Sequence, residues 1–145
     1  MCHGVSLSKS MSPKTDAEIA AMTRIPYASA IGSIMYGMIS TRPDMAFALS
    51  VVSRYQSNPG LPHWKAVKDI LKYLRRTNKL FLVYGGGELK LEGYTDSSFQ
   101  SDIDDSKSTS GFIFMLNGAA VSWKSSKQDS QNILLHQLQQ RRLFG

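Results

Sequence analysis

One stretch, residues 89–127 (LKLEGYTDSSFQSDIDDSKSTSGFIFMLNGAAVSWKSSK), constrains this chain more than any other. It opens on an apolar/polar alternation (Leu89, Leu91, Tyr94) that ends in a carboxylate, Asp96. A polar, acidic loop follows over 100–107, then two β-type runs, 111–116 and 119–124, joined by Asn117-Gly118. Apolar alternation bounded by turn residues predicts strands, and Asn-Gly between two of them predicts a tight hairpin. The local pattern is therefore three consecutive antiparallel strands with a carboxylate at the exit of the first.

The chain before this stretch is patterned for helices. Residues 1–14 are polar and Ser-rich and read as an irregular lead-in. Thr15 is placed to cap a short helix over 16–22, with Glu18 at the third helical position and Pro26 beyond its end. Residues 27–40 read as a buried helix with Ile31, Met35 and Met38 on one face, the methionines as core filler. Pro43 suits the first turn of the next helix, 43–56, which buries Met45, Leu49 and Val52 and stops at Asn58-Pro59-Gly60. Residues 62–77 are the clearest amphipathic helix: Trp64, Val67, Ile70, Leu71 and Leu74 line one side, and Lys65, Lys68, Asp69, Lys72, Arg75 and Arg76 the other. A short strand is predicted over 79–84, then a flexible joint at Gly85-Gly86-Gly87. The division expected is a lead-in (1–14), a helical region (15–84), a strand region (88–130) and a tail (131–145), hence an α+β chain with helices first and an antiparallel sheet after them.

With 145 residues, the chain holds about one modest domain. A single cysteine, Cys2, excludes an intrachain disulfide. No apolar run reaches the roughly 20 residues of a membrane span or forms a signal-peptide core, so an intracellular chain without membrane contact is expected. The formal charge of +6 suits a nucleic-acid partner but speaks only to non-specific attraction. His3, His63 and His136 lack metal-ligand spacing, and packing or surface roles are expected of them. The three glycines at 85–87 are no phosphate loop, because no Lys-Ser/Thr follows.

Three segments carry a family resemblance: Gly93-Tyr94-Thr95-Asp96, the run from Asp102 to Gly111 (DIDDSKSTSG), and Val121-Ser122-Trp123-Lys124-Ser125-Ser126-Lys127-Gln128. Together they resemble the start of the ribonuclease H domain in Ty1/copia-type retrotransposon polyproteins. Residues 41–77 (TRPDMAFALSVVSRYQSNPGLPHWKAVKDILKYLRRT) resemble the part of the same family that connects polymerase to ribonuclease H. The likeness runs over roughly 5–129 and lacks the polymerase's paired aspartates, so no polymerase activity is implied.

Ribonuclease H chemistry uses two divalent cations clamping the scissile phosphate, held by a cluster of carboxylates. The resemblance implies that Asp96 stands where the first of these ligands stands. The second belongs to a helix after Gln128, in wording like STEAEY, whereas residues 131–145 (QNILLHQLQQRRLFG) contain no acidic side chain. Asp102, Asp104 and Asp105 fall on the loop and read as solvated. No catalysis, metal or cofactor is therefore expected. The tail has an explanation in the genetic code: one permitted codon choice for 131–145, read in a shifted frame, spells EYIAASAAAKEAVW, similar to the missing helix. A frame shift near Ser130 that removed the active site is the expectation, with an incompletely covered sheet and an association-prone edge as its consequence.

A second resemblance, over residues 22–60 and the strands, is to the secreted RxLR effector class of oomycete plant pathogens. It implies a secreted protein that acts in the host cell, nucleus or cytoplasm, on an unknown host protein to suppress defence or cell death. No Arg-x-Leu-Arg occurs; Arg141-Arg142-Leu143-Phe144 is the nearest approach. The effector reading is taken first. The alternative is an inert retrotransposon remnant with weak, non-specific nucleic-acid binding through Lys65, Lys68, Lys72, Arg75 and Arg76.

Overall fold

The computed structural model describes residues 6–98, 104–105 and 107–128. The tail 131–145, Asp102, Cys2, His3 and His136 lie outside them. Four helices, α1 (Asp16–Thr23), α2 (Tyr27–Thr41), α3 (Ala46–Val52) and α4 (Leu61–Arg76), precede three strands, β1 (Leu91–Ser98), β2 (Thr109–Leu116) and β3 (Ala119–Lys127). The class is α+β, as expected.

Helix α1 starts as the sequence dictates. The Thr15 hydroxyl accepts the Glu18 amide at 3.3 Å while the Glu18 carboxylate accepts the amides of Lys14 and Thr15 at 2.8 and 3.2 Å. Those amides hold the Glu18 carboxyl below its ordinary range. Helix α2 turns a different stripe inward from the one expected. Tyr27, Ile31 and Ile34 are buried with Met38 packed behind them, and Met35 is exposed, because the i, i+4, i+7 row from Tyr27 sets the inner face.

The helix expected over 43–56 is divided. Pro43–Met45 and Ser53–Tyr55 are 3-10 turns flanking α3, with Pro43 in the first turn as expected. Met45, Leu49 and Val52 are buried. The core is one cluster of Leu7, Tyr27, Ile31, Ile34, Met45, Ala48, Leu49, Val52, Tyr55, Val67 and Ile70. Inside it the Tyr27 hydroxyl donates to the Val52 carbonyl at 2.8 Å, and burial pushes its proton affinity up to about 12. Leu7 belongs to this cluster, so the lead-in from residue 6 onward is a packed strap carrying its own 3-10 turn, Lys9–Met11.

Arg42 locks the helices at their far end. Its guanidinium grips Asp44 through two nitrogens (3.0 and 2.7 Å) and reaches the Thr77 hydroxyl at 2.6 Å and the Thr77 carbonyl at 3.3 Å, just past the end of α4. The Tyr73 hydroxyl donates to Asp44 at 2.8 Å, and the guanidinium carbon lies 5.4 Å from the Tyr73 ring centre. One planar cation thus answers a carboxylate, a carbonyl at the end of a helix and an aromatic face together.

The sheet is ordered β1-β2-β3, antiparallel throughout. Asn117 and Gly118 both have positive φ (49° and 85°), which gives the two-residue turn expected between β2 and β3. At the Phe114/Met115 step the register shifts, leaving Val121 as an extra residue in β3. Gly93 has no side chain because Phe114 occupies the space: a Cβ there would come within 2.9 Å of its ring.

Residues 79–84 form no strand, contrary to the sequence expectation. Leu80, Phe81 and Val83 are exposed, and β-propensity makes no strand where no ladder partner is in register. The glycine joint is tied rather than loose. Asn117 donates its side-chain amide to the Gly85 carbonyl and accepts the Gly85 amide on its own carbonyl, both at 3.0 Å. Its side-chain oxygen also accepts the Lys90 amide at 2.8 Å, and its backbone amide donates to the Lys90 carbonyl at 3.0 Å.

Candidate nucleic-acid interface

Helix α4 carries an ordered array of charge. Its inner face buries His63, Val67 and Ile70, with Trp64, Ala66 and Leu74 partly covered. Leu71 is 39% exposed and lies outside the inner face on which helical spacing in the sequence places it. Lys65, Lys68, Lys72, Arg75 and Arg76 are all exposed. At 100° per residue they share an arc about 100° wide, over about 16 Å of helix axis. Only Asp69 among the residues of α4 is acidic, and it meets Lys72 at 3.1 Å as a surface pair. A stripe of this kind has the charge that non-specific contact with a phosphate backbone requires. The structure thus brings together all five basic residues singled out in the sequence.

Asp96 stands apart from them. It is exposed on β1 opposite Gly111. Two divalent cations need a cluster of oxygen ligands. Among the described residues no group of three or more His, Cys, Asp or Glu side chains gathers, so the described residues do not fit a metal pair.

The sheet is fastened to the helices by polar contacts on one of its faces. Trp123 donates its indole N–H to the Met38 carbonyl at 3.2 Å, an acceptor in the last turn of α2. Arg54 donates to the Thr109 hydroxyl at 3.1 Å, and the Ser50 and Ser125 hydroxyls lie 3.5 Å apart.

Asp104 and Asp105 are not merely solvated, contrary to the sequence expectation. Asp104 accepts the Lys9 amide on both carboxylate oxygens (2.8 and 2.9 Å) and the Tyr55 hydroxyl at 3.2 Å. Asp105 pairs with Lys127 and accepts the Lys107 amide at 3.3 Å. Sequence reasoning missed this because Asp104 and Lys9 are 95 positions apart and no local spacing links them.

Comparison with known proteins fits this architecture into a family. The chain is 50% identical over 124 residues to the retrovirus-related Pol polyprotein from transposon TNT 1-94 of Nicotiana tabacum, a match over 86% of this chain and 9% of that protein. It is 38% identical over 112 residues to the corresponding polyprotein from transposon RE2 of Arabidopsis thaliana, over 73% of this chain and 8% of that protein. It is also 46% identical over 108 residues to secreted RxLR effector protein 161 of Plasmopara viticola, over 74% of this chain and 76% of that protein. No family model and no solved structure matches. No helix among the described residues is long and apolar enough to cross a membrane. The chain spans less than a tenth of the two polyproteins, yet the likeness runs through helices and strands alike: it belongs to the Pol polyproteins of Ty1/copia-type retrotransposons.

Proposed function

We propose that this is a non-catalytic, retrotransposon-derived protein whose residual activity is weak, sequence-blind binding of nucleic acid along α4, and whose sheet is the opening of a ribonuclease H-like fold. The exposed stripe Lys65, Lys68, Lys72, Arg75 and Arg76 carries the binding reading. The absence of catalysis is inferred from the sequence: Asp96 is the one carboxylate that aligns with the family's ligand set, and residues 131–145 bear no acidic side chain where the next ligand is due. The order of the strands and the hairpin at Asn117-Gly118 support the ribonuclease H-like reading.

Binding of mixed-sequence RNA and DNA across a salt series tests the proposal. Affinity should fall steeply with salt, and Lys68→Glu with Lys72→Glu and Arg75→Glu should flatten the slope by roughly 0.7–0.9 for each phosphate that is no longer neutralised. Affinity unaffected by the triple change would overturn the assignment to α4. Magnesium-dependent cleavage of an RNA–DNA hybrid that disappears in Asp96→Asn would overturn the non-catalytic reading.

A second reading, an effector acting in plant cells on a host protein, rests on the name of the Plasmopara viticola relative. Suppression of cell death by this chain expressed in plant tissue, retained in the triple charge variant, would favour it over nucleic-acid binding.

A further inference from the structure

His63 is the one fully buried histidine among the described residues, at 0% exposure, and the proposed function makes no use of it. It sits in the first turn of α4, stacked on the Tyr55 ring at 4.1 Å between centres and 15° between planes. Its two ring nitrogens do opposite work. Nδ1 lies 2.9 Å from the Gly60 amide, a donor, so Nδ1 must be bare. Nε2 lies 3.0 Å from the Ser8 carbonyl, an acceptor, so Nε2 must carry the proton. The partners therefore fix a neutral ring in one tautomer.

These contacts fall where the strap, residues 6–15, crosses the start of α4. Leu7 plugs the core, the Tyr55 hydroxyl shares its one proton between the Leu7 carbonyl at 2.9 Å and Asp104 at 3.2 Å, and Asp104 holds the Lys9 amide. Gly60 lies so close beneath the strap that a Cβ there would come within 2.1 Å of the Met11 carbonyl oxygen. A second proton on the ring has one place to go, Nδ1, where it would oppose the Gly60 N–H. Gly60 must then shift, and Met11 already crowds it on the side where a Cβ would lie.

We propose that His63 is an acid-sensitive latch whose protonation releases the N-terminal strap from α4 while the helical core stays folded. Among the described residues, the titratable groups facing the ring are the Tyr55 phenol from its 3-10 turn and the Asp104 carboxylate from the loop, while the strap presents the Ser8 carbonyl. Burial lowers the ring's proton affinity most; the Ser8 bond and the Asp104 charge oppose that effect. The sign follows from linkage: the latched ring binds a proton less readily than the free one, so the latch holds above about 6.5, the ordinary histidine value, and weakens as pH falls below it.

Amide hydrogen exchange of the whole chain between pH 7.5 and 5, corrected for the intrinsic rate, provides the test. The opening equilibrium at Met11, Ser12 and Gly60 should rise by up to about tenfold per pH unit below about 6.5, with α2 amides unchanged. His63→Gln, which stays neutral and retains an amide donor toward Ser8, should abolish the pH response; Asp104→Asn, which removes a charge that favours the protonated ring, should move the response to lower pH without abolishing it. The latch is overturned by a strap indifferent to pH, by an unchanged response in His63→Gln, or by α2 opening together with the strap. Nitrogen NMR of the wild-type ring decides the matter if His63→Gln does not fold. A ring that becomes doubly protonated while strap amides remain protected excludes the mechanism.

Discussion

The helical region and the sheet are held together by different physics. Among the described residues, eleven buried side chains from the strap, the helices and their flanking 3-10 turns form one apolar cluster, closed at one end by Arg42 and at the other by His63. In the sheet the buried apolar residues are Ala119 and Ala120, while Leu91, Tyr94 and Val121 are exposed at 67%, 54% and 44%. Backbone ladders and hydrogen bonds hold the strands, and the joint between the regions runs through an indole, an arginine and serine hydroxyls. Burial of apolar surface is the main driving force of folding, and a net hydrogen bond contributes only about 1 kcal/mol. The helical region is therefore the stable partner and the sheet the dependent one.

Core truncation is the most direct way to break that comparison. Ile31→Ala should cost about 3 kcal/mol in urea unfolding, whereas Leu91→Ala, on the exposed side of β1, should stay within about 0.5 kcal/mol. Equal costs would mean that β1 packs against something at least as tightly as α2 does. Arg42→Lys should come next, at about 2 kcal/mol, because an ammonium cannot hold Asp44 by two bonds and still reach Thr77. The Arg42 guanidinium, more than the Tyr73 hydroxyl, holds the Asp44 carboxyl below its ordinary value. The stabilisation from that pair is thus complete above about pH 3.8 and lost as pH falls through the lowered folded value; Arg42→Lys should blunt the acid transition.

Asn117→Ala sharpens the comparison from the sheet side. It removes the side-chain bonds to Gly85 and Lys90 and puts alanine at a φ of 49°, at a cost of about 1–2 kcal/mol. Chemical-shift changes should be confined to 84–91 and the hairpin. Changes reaching Ile31 or Val67 would show that the two regions fold as one.

What the sequence made legible was local. The capping box at Thr15 and Glu18, the Asn-Gly turn and the basic stripe of α4 each depend on residues a few positions apart, and each is present in the structure. Contacts that depend on distant pairs were not legible. Asp104 read as solvent-facing because its partners, Lys9 and Tyr55, lie 95 and 49 positions away. His63 gave no signal because it is polar at a buried position of α4, and its partners are a backbone amide and a backbone carbonyl. Residues 79–84 have strand composition but no ladder partner among the described residues, which composition does not encode. The basic face was readable from helical spacing, whereas the environment of Asp96 depends on which other carboxylates approach it in space.

The joint itself offers the smallest and most discriminating effect. Trp123→Phe keeps an aromatic ring on β3 but removes the N–H that meets the Met38 carbonyl, which should cost about 1 kcal/mol. The Met38 carbonyl lies in the last turn of α2, where solvent can replace the missing donor, so the helices should keep their stability. The sheet has no such substitute. If the regions are unequal partners, exchange protection in β2 and β3 should fall several-fold in Trp123→Phe while amides of α2 and α4 remain as they were. If protection falls by the same factor everywhere, the indole is part of a single cooperative unit, and the sheet stabilises the helices as much as they stabilise it.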